Sequence, residues 1–186
     1  MDNSARELLD QLEREVNNFI PKSRYPHDEY VIITLYEAIA AAREGNFGVG
    51  AVLVREDGEI IQRGHNHVFS PYFRSDLHAE MYIMTRFEEQ FADIENMRGF
   101  TLFSSLEPCP MCFTRLIISG VEKVYYAASD SAGGMVQRFQ YMPTEWKEMA
   151  ARQEFALARC SPKLTDIALK IFLSTLNEND RKLQSR

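Results

Sequence analysis

Cysteine is scarce in this chain: three in 186 residues, Cys109, Cys112 and Cys160. Three cysteines, two of them three positions apart, do not make a disulfide framework and fit a reducing, cytoplasmic compartment. Cys160 reads as a small buried hydrophobe. Long apolar runs are also missing. With no stretch of about 18 apolar residues, no membrane partner is expected. The polar start Met1-Asp2-Asn3-Ser4 runs into Arg6-Glu7, unlike a secretory signal. Positive charge is in deficit, with 21 Lys and Arg against 27 Asp and Glu and a net charge of −6. A nucleic-acid binder normally carries a basic stripe to neutralise phosphates. The nearest approach to one is the tail Asp180-Arg181-Lys182-Leu183-Gln184-Ser185-Arg186, so a small-molecule partner is expected and nucleic acid is not. There is no internal repeat and no low-complexity linker. The length suits one core, hence a single domain over 1–186.

Helical spacing of Leu8, Leu9, Leu12, Val16 and Phe19 predicts an amphipathic helix over 4–18, with Ser4 and Glu7 as a capping box. After Pro21 and Pro26, a second helix is predicted over 28–43 on Val31, Ile32, Leu35, Ile39 and Ala42, with Gly45 just past its end. Residues 49–54 and 59–63 read as a hairpin around Asp57-Gly58. The second strand empties into Gly64-His65-Asn66-His67, where Asn66 can either close a turn on its own backbone or meet a ligand. His27, His65 and His67 read as surface or loop residues, the last two within reach of a substrate. Further on, helices are predicted over 78–90, 109–119, 144–152 and 162–176, and strands over 100–105, 121–128 and 154–158. Met81, Met84, Phe87 and Phe91 read as core. Phe69, Tyr72 and Phe73 could stack on a planar base or pack under their loop. The Gly-rich loop at 131–134 precedes Phe139, Tyr141 and Trp146, which are candidates for a wall of the site. Alternating strands and helices imply a central sheet covered on both faces.

The chemistry concentrates in His78-Ala79-Glu80 and Pro108-Cys109-Pro110-Met111-Cys112. Two cysteines at i, i+3 can present both sulfurs on one face of a first helical turn. A histidine from elsewhere then makes three ligands and leaves a fourth position open, which describes a catalytic zinc (Zn2+). Thiolates at a helix start are stabilised by the free N–H groups and the macrodipole. Glu80 is placed as the base that accepts a proton from an activated water. Residues i and i+2 of a helix point roughly 200° apart, so His78 and Glu80 converge only where the helix begins. A lone Cys-x-x-Cys could equally be redox-active or half of a structural zinc.

These segments, with Gly64-x-Asn66 before them, resemble the cytidine deaminase-like superfamily over roughly residues 28–130. Within it they resemble guanine deaminases, fungal-type cytosine deaminases and tRNA adenosine deaminases. The resemblance implies an α/β fold, a three-layer α/β/α sandwich with a mixed five-stranded central sheet, and a homodimer. Residues 28–130 would form the motif-bearing core, with a helical extension over 1–27 and a substrate-covering part over 131–186. By position, His78, Cys109 and Cys112 would bind zinc and Glu80 would shuttle protons. Asn66 would hydrogen-bond the base, Ser105 and Glu107 would lie beside it, and the Cys109 N–H would help hold the developing oxyanion. Purine-directed relatives commonly read Asp-Pro-Thr-Ala where this chain has Arg74-Ser75-Asp76-Leu77, and the loop from Asn66 to His78 is about one residue longer. Gly64-His65-Asn66 and Leu77-His78 resemble the cytosine-directed branch, and Glu107 through Cys112 the purine-directed ones. The expected activity is hydrolytic deamination of a small nucleobase or nucleoside, a guanine-like purine ahead of cytosine. The alternatives are a tRNA adenosine deaminase and a non-catalytic structural zinc module.

Overall fold

The computed structural model describes residues 3–185. Met1, Asp2 and Arg186, parts of the polar start and of the tail cluster, lie outside them. Six helices and five strands follow in the order α1 (Asn3–Asn17), α2 (Asp28–Arg43), β1 (Gly50–Arg55), β2 (Ile60–His65), α3 (Ala79–Gln90), β3 (Phe100–Leu106), α4 (Pro110–Ser119), β4 (Lys123–Ala128), α5 (Thr144–Ala150), β5 (Glu154–Leu157) and α6 (Pro162–Gln184). Ser4 lies inside α1, so it is not the residue that caps it. A 3-10 segment over Val136–Tyr141 joins the Gly-rich loop to α5.

The sheet order is β2-β1-β3-β4-β5. β1 runs antiparallel to both its neighbours, while β3, β4 and β5 are parallel. Two crossover connections, one through α4 and one through α5, link the parallel strands, as parallel pairing requires. α2 and α6, with α1 packed on both, contact one another and the sheet, and α3 packs over β1 and β2 beside α4. This is the expected three-layer α/β/α sandwich. The largest core cluster joins Leu35 and Ile39 of α2, Leu53 and Leu102 of the sheet, Ile83 and Phe87 of α3, and Leu164 and Ile171 of α6. Glycine matters where α3 crosses β2: a Cβ on Gly64 would sit 2.5 Å from Tyr82 Cδ1. The bare backbone therefore lets the helix that carries Glu80 lie close to the sheet.

α6 runs to Gln184, eight residues past the predicted end at Leu176. The polar run Asn177–Asp180 looks like a terminus, yet Asn179 is buried and accepts from Lys182 Nζ, which also donates to the Gly45 carbonyl. Tertiary contacts hold those turns helical. His27 is not a surface residue: it is 8% exposed, with its ring 5.1 Å from Phe103 and 4.5 Å from Tyr125, and Nδ1 accepts from Arg159 N–H.

Candidate active site

The sheet and two helix starts bring the motif residues together. His78 is the residue just before α3, with φ −67° and ψ 160°, and Cys109 stands in the same place before α4, with φ −69° and ψ 169°. Both are extended, so the 200° divergence inside a helix does not apply between His78 and Glu80. Pro110 opens α4 where its missing N–H leaves no bond unmade.

One donor atom from each of His78, Cys109 and Cys112 lies within 4.8 Å of the others. Cys109 Sγ is 3.5 Å from His78 Nδ1. Nitrogen and sulfur ligands about 2.0 and 2.3 Å from a tetrahedral zinc would stand about 3.5 Å apart. The donor set therefore fits zinc in both chemistry and spacing. Glu80 is buried at 4% exposure. Its Oε2 accepts from Cys112 Sγ at 3.4 Å and its Oε1 from the Ser104 hydroxyl at 3.2 Å. The carboxylate is thus held against the three donors by a strand residue that neither sequence motif contains.

Electrostatics divide the two thiols. The hydrogen bond from Cys112, helped by His78, brings Cys109 down to about 4 against the cost of burial. Cys112 is pushed well up by Cys109, which shares its single S–H with Glu80, by burial and by the Glu80 charge. Burial raises the Glu80 carboxyl, with the Cys109 charge adding to it. Burial works to lower His78, but the hydrogen bond and charge of Cys109 outweigh it and the imidazole is raised.

A model of the cytidine and deoxycytidylate deaminase zinc-binding region matches residues 26–128. The chain belongs to this family. It is 41% identical over 107 residues to the tRNA-specific adenosine deaminase of Bacillus subtilis (strain 168), covering 56% of this chain and 63% of that protein, just under two thirds of its length. The tRNA-specific adenosine deaminase of Aquifex aeolicus (strain VF5) is 36% identical, over 61% of this chain and 75% of that protein. A solved structure from a study of A-to-I editing by tRNA:A34 deaminases superposes with a TM-score of 0.63 at 27% identity, covering 75% of this chain and 98% of that one. The guanine deaminase of Nitrosomonas europaea has the same fold, with a TM-score of 0.60, 22% identity and coverage of 86% and 91%.

These deaminase relatives correct the reading that nucleic acid is not a partner, since the Bacillus and Aquifex proteins are tRNA enzymes by name. A net charge of −6 sums over the whole surface, whereas phosphate contacts are made locally. The sum therefore excludes less than its sign suggests.

The family's metal motif opens onto a cavity of about 430 Å³. Asn66, His78, Glu80, Glu107 and Cys109 contribute to its polar lining, together with Asp130 and Asp180. Asn66 is 2% exposed, and its Oδ1 accepts from Val68 N–H, closing a turn, while Nδ2 has no partner among the described residues. It thus serves the turn and the cavity at once. Glu107 does more than line the wall. Its Oε2 accepts from Asp130 N–H and Gln137 Nε2, and its Oε1 from Gln137 N–H, at 2.8 to 3.0 Å. A Cβ on Gly134 would fall 2.4 Å from the Glu107 carboxyl carbon, so this loop can close on the carboxylate only with glycine there.

Ser105 is placed differently from the expectation. Its hydroxyl accepts from Gly50 N–H within the sheet, and it is not among the cavity residues. Strand parity explains the exchange: adjacent residues of β3 point to opposite faces, and Ser104 has the face under α3. Phe139, Tyr141 and Trp146 are likewise absent from the cavity wall. Trp146 and Phe139 pack instead around Phe113, Ile117 and Ala150. In their stead α6 supplies Phe172, Leu176, Asp180 and Leu183. The helical spacing of Phe172, Leu176 and Leu183 is the sequence signal that could have found them. From the cavity an aromatic line runs outward: Phe47 is 6.4 Å from Phe172 and 5.7 Å from Phe69, which is 6.3 Å from Phe73. Phe73 and its neighbour Tyr72 are 48% and 63% exposed.

Proposed function

We propose that this chain is a zinc-dependent hydrolytic deaminase that acts on adenosine within tRNA. The observation that carries deamination is the buried Glu80 carboxylate held between Ser104 and Cys112, next to three zinc-competent donors at the floor of an open cavity. His78, Cys109 and Cys112 would hold the metal. Bound zinc supplies Lewis acidity that makes water a nucleophile near neutral pH. A structural zinc closed by a fourth side chain would have no use for a carboxylate poised there.

Glu80 takes the proton of the attacking water, donates it to the ring nitrogen and then serves the departing amine, leaving a carbonyl in place of the amino group and ammonia as product. Asn66 Nδ2 is free to donate to the base, and Glu107 keeps the 130–137 loop over it. The choice of tRNA is supported by the 41% and 36% identity to tRNA-specific adenosine deaminases. It is also supported by the aromatic line that ends at Tyr72 and Phe73, because single-stranded RNA is gripped by stacking of splayed bases. Pairing with a second copy belongs to this reading, with Met111 and Ile118 as exposed apolar residues on α4.

The test is an anticodon stem-loop transcript incubated with zinc-loaded protein, alongside guanine, cytosine and their nucleosides. Inosine in the transcript, with the free bases unchanged, is the expected result. Conversion of guanine without inosine would move the substrate to the free purine.

A further inference from the structure

We propose that Glu44, His65 and His67 form a second, peripheral site for a divalent transition-metal ion, separate from the one at His78. One donor atom of each lies within 4.8 Å of the others. Glu44 Oε2 is 3.2 Å from His65 Nε2 and 3.6 Å from His67 Nδ1. Oxygen and nitrogen ligands about 2.0 to 2.1 Å from a tetrahedral zinc stand about 3.3 Å apart, so these donors already sit near their ligating separations. The two imidazoles lie 4.3 Å apart between centroids. Two histidines and one carboxylate, with the remaining positions open to water, are a donor set for zinc, nickel, copper or cobalt and a poor one for calcium or magnesium.

An outer contact makes this more than a chance cluster. The other nitrogen of His65, Nδ1, is 2.8 Å from Glu37 Oε2, and Glu37 Oε1 is 3.4 Å from Arg63 Nε. The Glu37 carboxylate accepts Nδ1–H and orients the ring so that an ion can take the place of the Nε2 proton that Glu44 now accepts, which is the arrangement found behind metal-bound histidines. His65 and His67 are half-buried and shielded from most of the solvent, while Glu44 reaches in from the surface.

The site would act on the catalytic cavity through the backbone. His65 and His67 flank Asn66, and His67 N–H donates to the carbonyl of Leu77, the residue before His78. An ion joining the two histidines to the end of α2 would hold the turn that carries Asn66.

The experiment measures zinc by elemental analysis after equilibrium dialysis of the full chain against micromolar free zinc. Two equivalents are expected in the wild type and one in Glu44→Gln, an exposed position where the change leaves the fold intact by circular dichroism. His65→Ala/His67→Ala should also hold one, and Glu37→Gln should weaken the second equivalent by about 10 to 100-fold. Cys109→Ala/Cys112→Ala should keep the peripheral equivalent, which separates this proposal from the fate of the catalytic reading. Filling the second site should slow amide exchange over residues 66–77. The proposal is overturned if Cys109→Ala/Cys112→Ala binds no zinc, or if His65→Ala/His67→Ala holds as many equivalents as the wild type.

Discussion

The Ser104 hydroxyl donates to Glu80 Oε1 at 3.2 Å and accepts from Leu106 N–H at 3.4 Å, tying the buried carboxylate of α3 to the end of β3. A hydrogen bond to a charged group contributes about 1.5 to 3 kcal/mol, and each 1.4 kcal/mol is about tenfold in rate. Ser104→Ala should therefore lower kcat about 10- to 100-fold, with KM and zinc content held. Glu80→Gln should retain zinc and lose about 10² to 10⁴ in kcat, the usual size of a proton-transfer contribution. Equal kcat for Ser104→Ala and wild type would show that Ser104 does not position the base.

Glu107 makes a different prediction because its carboxylate is spent on the loop. Three donors, Asp130 N–H, Gln137 N–H and Gln137 Nε2, converge on it. Glu107→Gln replaces one acceptor oxygen by an NH2 that faces donors, leaving at least one of them unsatisfied at a cost of about 1 to 3 kcal/mol. Faster hydrogen exchange at Asp130 and Gln137 and a raised KM are expected, with kcat at saturation changed little. A fall in kcat alone would place Glu107 in the chemistry instead.

Tyr72 and Phe73 supply the substrate prediction. Base stacking on an aromatic side chain is worth about 1 to 3 kcal/mol. Tyr72→Ala and Phe73→Ala should each weaken an anticodon stem-loop by about fivefold or more, read as KM or as Kd on the Glu80→Gln protein. Deamination of a minimal nucleoside, where it can be detected, should not respond. If RNA binding is unmoved in both variants, the aromatic line ends in packing and not in recognition.

The parts of the site that could be read from sequence were those fixed by local spacing. Cys109 and Cys112 share a helical turn whatever the rest of the chain does, and His-x-Glu before an apolar helical pattern names its own helix start. The alternation of strands and helices likewise foretold a central sheet between two helical layers, while its mixed strand directions came from the family resemblance. What depended on distant packing was missed. Ser104 and Ser105 differ by one step of strand parity, and only the position of α3 decides which hydroxyl meets Glu80. Trp146 follows the Gly-rich loop in sequence but turns into the pocket behind Phe113 and Ala150. The last turns of α6 look polar in isolation and are held by Lys182 reaching across to Gly45. His27, His65 and His67, featureless as single loop residues, each acquire partners only in the folded chain.

His27 gives the pH prediction. Its ring sits against Phe103 and Tyr125, and Nδ1 accepts from Arg159 N–H, which requires the neutral imidazole. Burial lowers its pKa below the ordinary histidine value, and the Arg159 charge adds to that. With the folded value below the unfolded one, the unfolded chain binds more protons through the window between them, so stability rises with pH there. The stabilisation is complete above about pH 6.5, the unfolded value, and fades as pH falls through the folded value. His27→Gln keeps an acceptor for Arg159 N–H and has no proton to gain. Urea midpoints measured at intervals from neutral to mildly acidic pH should fall more steeply for the wild type than for His27→Gln. Parallel curves for the two proteins would mean that His27 takes up its proton at the same pH whether folded or not.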